Sequence, residues 1–175
     1  MSQVIIRQIE ESDVEDFIAI RRQALEADPF AFLASPESDV GLDSEFLKNA
    51  IRGRSTQAVL GAWADTGDLV GIVGIYRYSK EKEAHKAGIW GMYVDRSYRR
   101  QGVGSSLLSA AIEFASSMNG VIQINLSVSG TSKAAVALYE RKGFVAWGTE
   151  QNAILIDGRY DSITHMFLDL NEIKA

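Results

Sequence analysis

Apolar and polar residues alternate along the chain with two periods, and the switches between them mark out the elements. Val4 to Ile9 is a short apolar run that predicts a first strand. Ser12 and Glu15 have the spacing of a capping box, and Val14, Phe17, Ile18 and Leu25 then recur at helical spacing to about Ala27. Asp28-Pro29 stops that helix. Residues 29 to 43 carry Phe30, Phe32 and Leu33 among small polar residues and Pro36, which predicts a loop or short helix with an apolar surface. A weaker second helix is expected over Ser44 to Arg52.

Three strand runs follow at Gln57 to Ala64, Leu69 to Tyr78 and Ala87 to Val94. The connections between them, Asp65-Thr66-Gly67-Asp68 and a polar stretch over Ser79 to Lys86, are short enough for an antiparallel meander. Leu107, Leu108, Ala111, Ile112 and Ala115 line one face of a helix, and Val121 to Val128 is a further strand. Thr131 or Ser132 caps another helix, which runs to Lys142 with Gly143 as its C′ residue. Phe144 to Trp147, Ala153 to Ile156 and Ser162 to Leu170 predict final strands, with Asp157-Gly158 as a hairpin turn. The fold class is a mixed α/β (α+β) sheet in one domain spanning residues 1–175, with no repeat or interdomain linker.

Composition narrows the function. The 175 residues are 46% hydrophobic and 23% charged, so the chain can bury a core. Eighteen basic against twenty-three acidic residues leave a net charge of −5, which argues against a nucleic-acid partner. There is no cysteine, which removes disulfides and thiolate chemistry. Two histidines, His85 and His165, are too few for a typical zinc site, so no metal is expected. The N-terminus has no apolar leader region and no run approaches a membrane span, so a soluble, cytoplasmic protein without a membrane partner is expected.

The chemistry concentrates at Tyr98-Arg99-Arg100-Gln101-Gly102-Val103-Gly104, between a strand and a helix. Glycines at 102 and 104 let the backbone turn tightly and approach a ligand, and the helix after them points free N–H groups and its positive dipole end into the turn. That is an anion site suited to a phosphate or pyrophosphate, with Arg99 and Arg100 adding charge at the rim. On these residues alone, a plain turn is as good a reading.

Met92 to Gly104 resembles the acyl-CoA-binding signature of the GNAT superfamily of N-acetyltransferases, Arg/Gln-x-x-Gly-x-Gly/Ala after a strand, met here by Arg99, Gly102 and Gly104. Ser132 to Phe144 is similar to the family's second signature, Asn-x-x-Ala-x-x-Leu-Tyr followed by Gly-Phe. Arg96 stands where the family often has proline, and Ser132 where it often has asparagine, a shorter reach toward a cofactor.

The resemblance implies a GNAT-like fold whose splayed central strands form a cleft for acetyl-CoA, and transfer of an acetyl group to an amine. It implies that the backbone of Met92, Tyr93 and Val94 pairs with the pantetheine arm. Backbone N–H groups across Arg100, Gln101, Gly102, Val103, Gly104 and Ser105 would cradle the pyrophosphate, with Arg99 and Ser132 also at the cofactor. It gives Tyr139 the role of general acid. A phenol near pKa ~10 suits a thiolate leaving group whose conjugate acid lies near ~8.5. From spacing alone, Tyr139 merely packs beside Ala135 and Leu138.

No carboxylate stands in Ala87 to Trp90 or Asn125 to Val128, where many relatives carry a catalytic base. Glu81, Glu83 and His85 precede the third meander strand, where a solvated hairpin is the plainer reading. A water relay, or an acceptor that arrives neutral, also stays open. Arg21, Arg22, Phe30, Phe32, Tyr160 and Asp161 are candidates for the acceptor pocket. The acceptor would be a small-molecule or peptide amine, and a homodimer is one assembly the fold suggests. The rival readings are a CoA-binding sensor or interaction protein without catalysis, and a nucleotide-binding module.

Overall fold

The computed structural model describes residues 4–52 and 55–174. Met1 to Gln3, part of the N-terminal segment read above, lie outside the described residues. Strand β1 (Ile5–Gln8) leads through a 3-10 turn into helix α1 (Val14–Ala27), and α2 (Ser44–Arg52) follows after two more such turns. Strands β2 (Gln57–Trp63), β3 (Leu69–Arg77) and β4 (Lys86–Val94) form the meander. Helix α3 (Val103–Ser117), strand β5 (Gln123–Ser129) and helix α4 (Lys133–Arg141) come next, then β6 (Val145–Ile156), β7 (Arg159–Asp169) and a terminal turn of helix α5 (Leu170–Lys174).

The seven strands form one sheet in the order β1-β2-β3-β4-β5-β7-β6. All neighbours are antiparallel except β4 and β5, which run parallel. Side-chain alternation along β2 and β3 feeds two cores, one on each face. Leu60, Val73 and Ile75 pack with Leu107, Leu108 and Ala111 of α3 on one face. Val59, Trp63 and Ile72 pack with Phe17, Ile20 and Ala24 of α1 and Leu47 of α2 on the other. Each fully buried large side chain contributes about 1.5–3 kcal/mol, so the helices hold the sheet from both sides. Among the described residues, no helix is long and apolar enough to cross a membrane.

Two expectations are corrected. The entry to α1 is not capped by Ser12 and Glu15. Ser12 lies inside a 3-10 turn (Glu11–Asp13), and the Asp13 carboxylate instead accepts from the Glu10 N–H at 2.8 Å and from the Arg7 guanidinium at 2.6 and 2.9 Å. An acid that already holds a neighbouring arginine outcompetes the serine hydroxyl. The final strands also number two rather than three. Register shifts at Ala146/Gly148 and Glu150/Ile154, with Asn152 at φ +54°, bend β6 without breaking its ladder to β7. Its polar middle follows from its place at the edge of the sheet, where both faces meet solvent. The turn between β6 and β7 is the expected one, with Asp157 and Gly158 both at positive φ.

Candidate active site

The site begins with a bulge in β4. Gly91 adopts φ +63°, a conformation that glycine reaches without strain, and the β3–β4 register shifts between Ile72 and Gly74. The bulge bends β4, and its parallel pairing with β5 ends at Gly88↔Asn125. Beyond that point β4 stays on β3 while β5 continues along β7, so the two central strands part. A cavity opens on each side of the gap.

The first is a cleft of about 910 Å³ between β4, α3 and α4, closed on one side by the segment after α1. Met92, Tyr93, Val94, Arg99 and Arg100 line it, as do Gly102, Gly104, Ser105 and Ser132. Met92 and Val94 turn their side chains to the α3 core while Tyr93 points into the opposite one. The main chain thus carries this edge of the cleft. Gly102, at φ +87°, sets the turn, and a Cβ there would meet no protein atom within 4 Å. A Cβ on Gly104 would stand 3.4–3.7 Å from Leu138, Met92 and Val94, all of which line the cleft. The first N–H groups of α3 have no partner within the helix, and they face this glycine-cleared space. The residues present therefore fit a diphosphate and a narrow polar arm.

Two of the expected cofactor residues do not line the cleft. The Gln101 side chain donates to the Ser97 carbonyl at 2.8 Å, and the Val103 side chain is buried in the core. Arg99 lines the cleft but is not a mobile rim charge. It donates to the Val94 carbonyl at 2.9 Å and pairs with Asp28 at 2.5 Å. Burial pushes the Asp28 carboxyl up, but hydrogen bonds and charge from Arg99 and Arg96 hold it below the usual carboxylate range. Ser132 precedes α4 and makes no side-chain capping bond.

Tyr139 stands on α4 against the inner wall of the cleft. It is buried, packs edge-on to Phe144 at 5.8 Å, and its hydroxyl donates to the Met92 sulfur at 3.6 Å. Burial pushes its pKa up to about 12, because the phenolate would lack solvation. The phenol keeps its proton at neutral pH, and its weak sulfur partner leaves it free to donate elsewhere.

The second cavity, about 640 Å³, lies on the opposite side of the gap. Of the acceptor-pocket candidates, Arg21, Phe30 and Phe32 line it, and Phe30 and Phe32 also reach the first cleft. Arg22 and Tyr160 are exposed and outside both. Asp161 is buried nearby in a different role. It accepts from the Ser129 hydroxyl, from Thr131 Oγ1 at 2.8 Å and from the Ser162 N–H at 2.8 Å, which ties β7 to the start of α4. Glu83 lines the cavity, whereas Glu81 and His85 do not. Its hydrogen bond to Lys86, at 3.0 Å, holds its carboxyl below the usual range. Among the described residues, no group of three or more His, Asp or Glu is placed to hold a metal ion.

Residues 17–144 match the model of the acetyltransferase (GNAT) family. This chain is a GNAT acetyltransferase. It is 28% identical over 166 residues to an L-amino acid N-acetyltransferase of Escherichia coli K12, covering 95% of this chain and 98% of the relative. It also resembles the crystal structure of a ribosomal-protein-alanine N-acetyltransferase from Brucella melitensis (TM-score 0.82, 26% identity, 95% and 99% of the two chains). The same fold appears in a phosphinothricin acetyltransferase from Sinorhizobium meliloti in complex with AcCoA (TM-score 0.82, 17% identity, 97% and 89%). The donor of a GNAT acetyltransferase is acetyl-CoA.

In this GNAT chain the second cavity holds residues that no local sequence motif singles out. His165, which the sequence offers only as one of two histidines too few for zinc, faces the cavity, with Nδ1 2.9 Å from the Ser127 hydroxyl and its ring stacked on Trp147 at 5.3 Å. Trp90, Tyr76 and Tyr78 also line it. Alternation along β7, where Ile163 and His165 share a face, was the available signal, but it could not say which face meets a cavity.

Proposed function

We propose that this acetyltransferase seats the acyl end of acetyl-CoA beside Tyr139 and receives a small amine acceptor in the second cavity, where the amine attacks the thioester directly. The observation that carries this reading is the parting of β4 and β5, which sets two cavities on either side of one gap with Tyr139 at its edge. Acetyl-CoA supplies the acetyl group and a thiolate leaving group. The main chain of Met92 to Val94 orients its pantetheine arm, and the first turn of α3 receives the pyrophosphate. Gly102 keeps that space clear, and Ser132 adds a hydroxyl at the rim.

The new C–N bond forms as the C–S bond breaks, and the sulfur leaves with the electron pair. Tyr139 passes its proton to this sulfur and regains one from solvent through the cleft, which restores the phenol for the next turnover. The amine releases its own proton into the second cavity, where Glu83 and His165 are the proton acceptors that line it. An α-amine, with a pKa near ~7.7–8, gives up that proton far more readily than a lysine side chain near ~10.4.

Free thiol released from acetyl-CoA with a panel of amines tests this. Acceptor-dependent release in the wild type, lost in Tyr139→Phe, is the expected result. Tight CoA binding without turnover across the panel would instead point to a sensor.

A further inference from the structure

Arg21 is buried at 5% exposure, yet only its Nε makes a hydrogen bond among the described residues, to Asp39 at 2.6 Å. Its Nη1 is buried with no partner at all. A guanidinium carries five donors in a planar fork, and a buried donor left unpaired is destabilising. The surroundings fix which edge of the fork is spare. Asp39 takes the Nε side, and its other oxygen is held by the Gly41 N–H at 2.9 Å. Phe32 and Trp90 flank the guanidinium, with ring centroids 4.8 and 5.8 Å from its carbon. What remains is the end-on pair of terminal nitrogens, in a residue that lines the second cavity.

Resting on the proposed function, we propose that Arg21 is the anchor for a carboxylate borne by the acceptor close to its amine, so that the acceptor class is α-amino acids rather than polyamines or simple amines. A carboxylate matches the end-on fork in a bidentate geometry and supplies the acceptor that the buried Nη1 lacks. The position sets how near the amine must be. A Cβ on Gly91 would lie 3.3 Å from Arg21 Nη1, and the next residue, Met92, touches the Tyr139 hydroxyl. The anchor therefore stands one residue along β4 from the point of transfer, which suits a carboxylate a few bonds from the nucleophile. Trp90 and Phe32 offer apolar surface to the acceptor's side chain. Asp39 acts as a positioning residue, holding Arg21 in place from the segment between α1 and α2.

The test compares kcat/KM for L-phenylalanine and L-norleucine with that for phenethylamine and pentylamine, their decarboxylated counterparts, and for spermidine. The wild type should favour each acid over its matched amine by roughly tenfold to a hundredfold, the scale of a charge-assisted contact. In Arg21→Gln that ratio should collapse toward one, through a rise in KM for the acids, while acetyl-CoA affinity is retained. Arg21→Lys keeps a partner for Asp39, so it reads the same ratio if the glutamine variant does not fold. An equal or reversed preference in the wild type overturns the anchor and leaves acetyl transfer standing. A preference unchanged in both folded variants assigns Arg21 a purely structural clamp and also overturns it. Failure to acetylate any amine removes the proposed function itself, and this inference with it.

Discussion

Gly102 and Gly104 stand two residues apart, yet the structure separates what a methyl group would do at each. At Gly102 an added Cβ meets no protein atom, so the cost is conformational: φ +87° is left-handed, which costs an L-residue about 1–2 kcal/mol. For a chain of this length that is a fall in Tm of roughly 3–6 °C. At Gly104 the backbone is already helical and the Cβ would sit 3.4–3.7 Å from three side chains, close to ordinary contact. Stability should be unchanged, or raised by up to about 1 kcal/mol. Only the Gly102 methyl projects into open cleft space assigned to the donor's diphosphate; the Gly104 methyl packs on Leu138, Met92 and Val94, at a position where the family signature carries glycine or alanine. Gly102→Ala should therefore lose stability and CoA affinity together, the affinity by tenfold or more, whereas Gly104→Ala should keep both. Thermal unfolding and calorimetric titration with CoA measure the two quantities separately. Undiminished CoA affinity in Gly102→Ala would refute the assignment of this turn as the donor's cradle, whatever happened to Tm.

Three further outcomes follow from the same geometry. Tyr139→Phe removes only a hydroxyl bonded to a methionine sulfur, so unfolding free energy should move by less than about 1 kcal/mol while kcat falls by roughly 10²- to 10⁴-fold; a kcat within threefold of wild type would remove it as the acid. Because burial raises the Tyr139 pKa to about 12, the active protonated form persists through alkaline pH, and pH–rate profiles should show no basic limb from this residue below about pH 11. Asp161→Ala should cost about 2 kcal/mol in urea unfolding at neutral pH by stripping Ser129 and Thr131 of their acceptor. Burial pushes the Asp161 carboxyl up, but its hydrogen bonds hold it below the usual range. Its contribution is thus fully present above the unfolded pKa of roughly 3.9 and is lost as pH falls through the lower folded value, where the two proteins should converge.

The sequence pattern reads well wherever one local cause decides. Asp28-Pro29 ends α1, and Gly143, at φ +91°, follows the end of α4. The glycine motif opens α3 because only glycine enters that turn cheaply. It reads poorly where partners distant in sequence compete. The Ser12 cap loses to Asp13 because Arg7, six residues away, already draws that carboxylate into place. The break seen in β6 is an edge strand whose polar residues face solvent. At the site, nine of the eleven residues expected at the cofactor line the cleft: eight sit within one strand–turn–helix motif, and Ser132 comes from the second. The second cavity gathers Arg21, Trp90, Ser127 and His165 from α1, β4, β5 and β7, and no local spacing announces that meeting. Its origin, the bulge at Gly91, is a single glycine inside a strand pattern.

The central claim is that donor and acceptor occupy adjoining cavities at the same time and that the amine attacks directly. Initial velocities measured over a grid of acetyl-CoA and acceptor concentrations test it most directly. Intersecting double-reciprocal lines, with no acetylated protein detected by mass spectrometry, are the predicted result. Parallel lines, or an acetyl group trapped on the protein when acceptor is withheld, would mean a covalent relay and contradict the account.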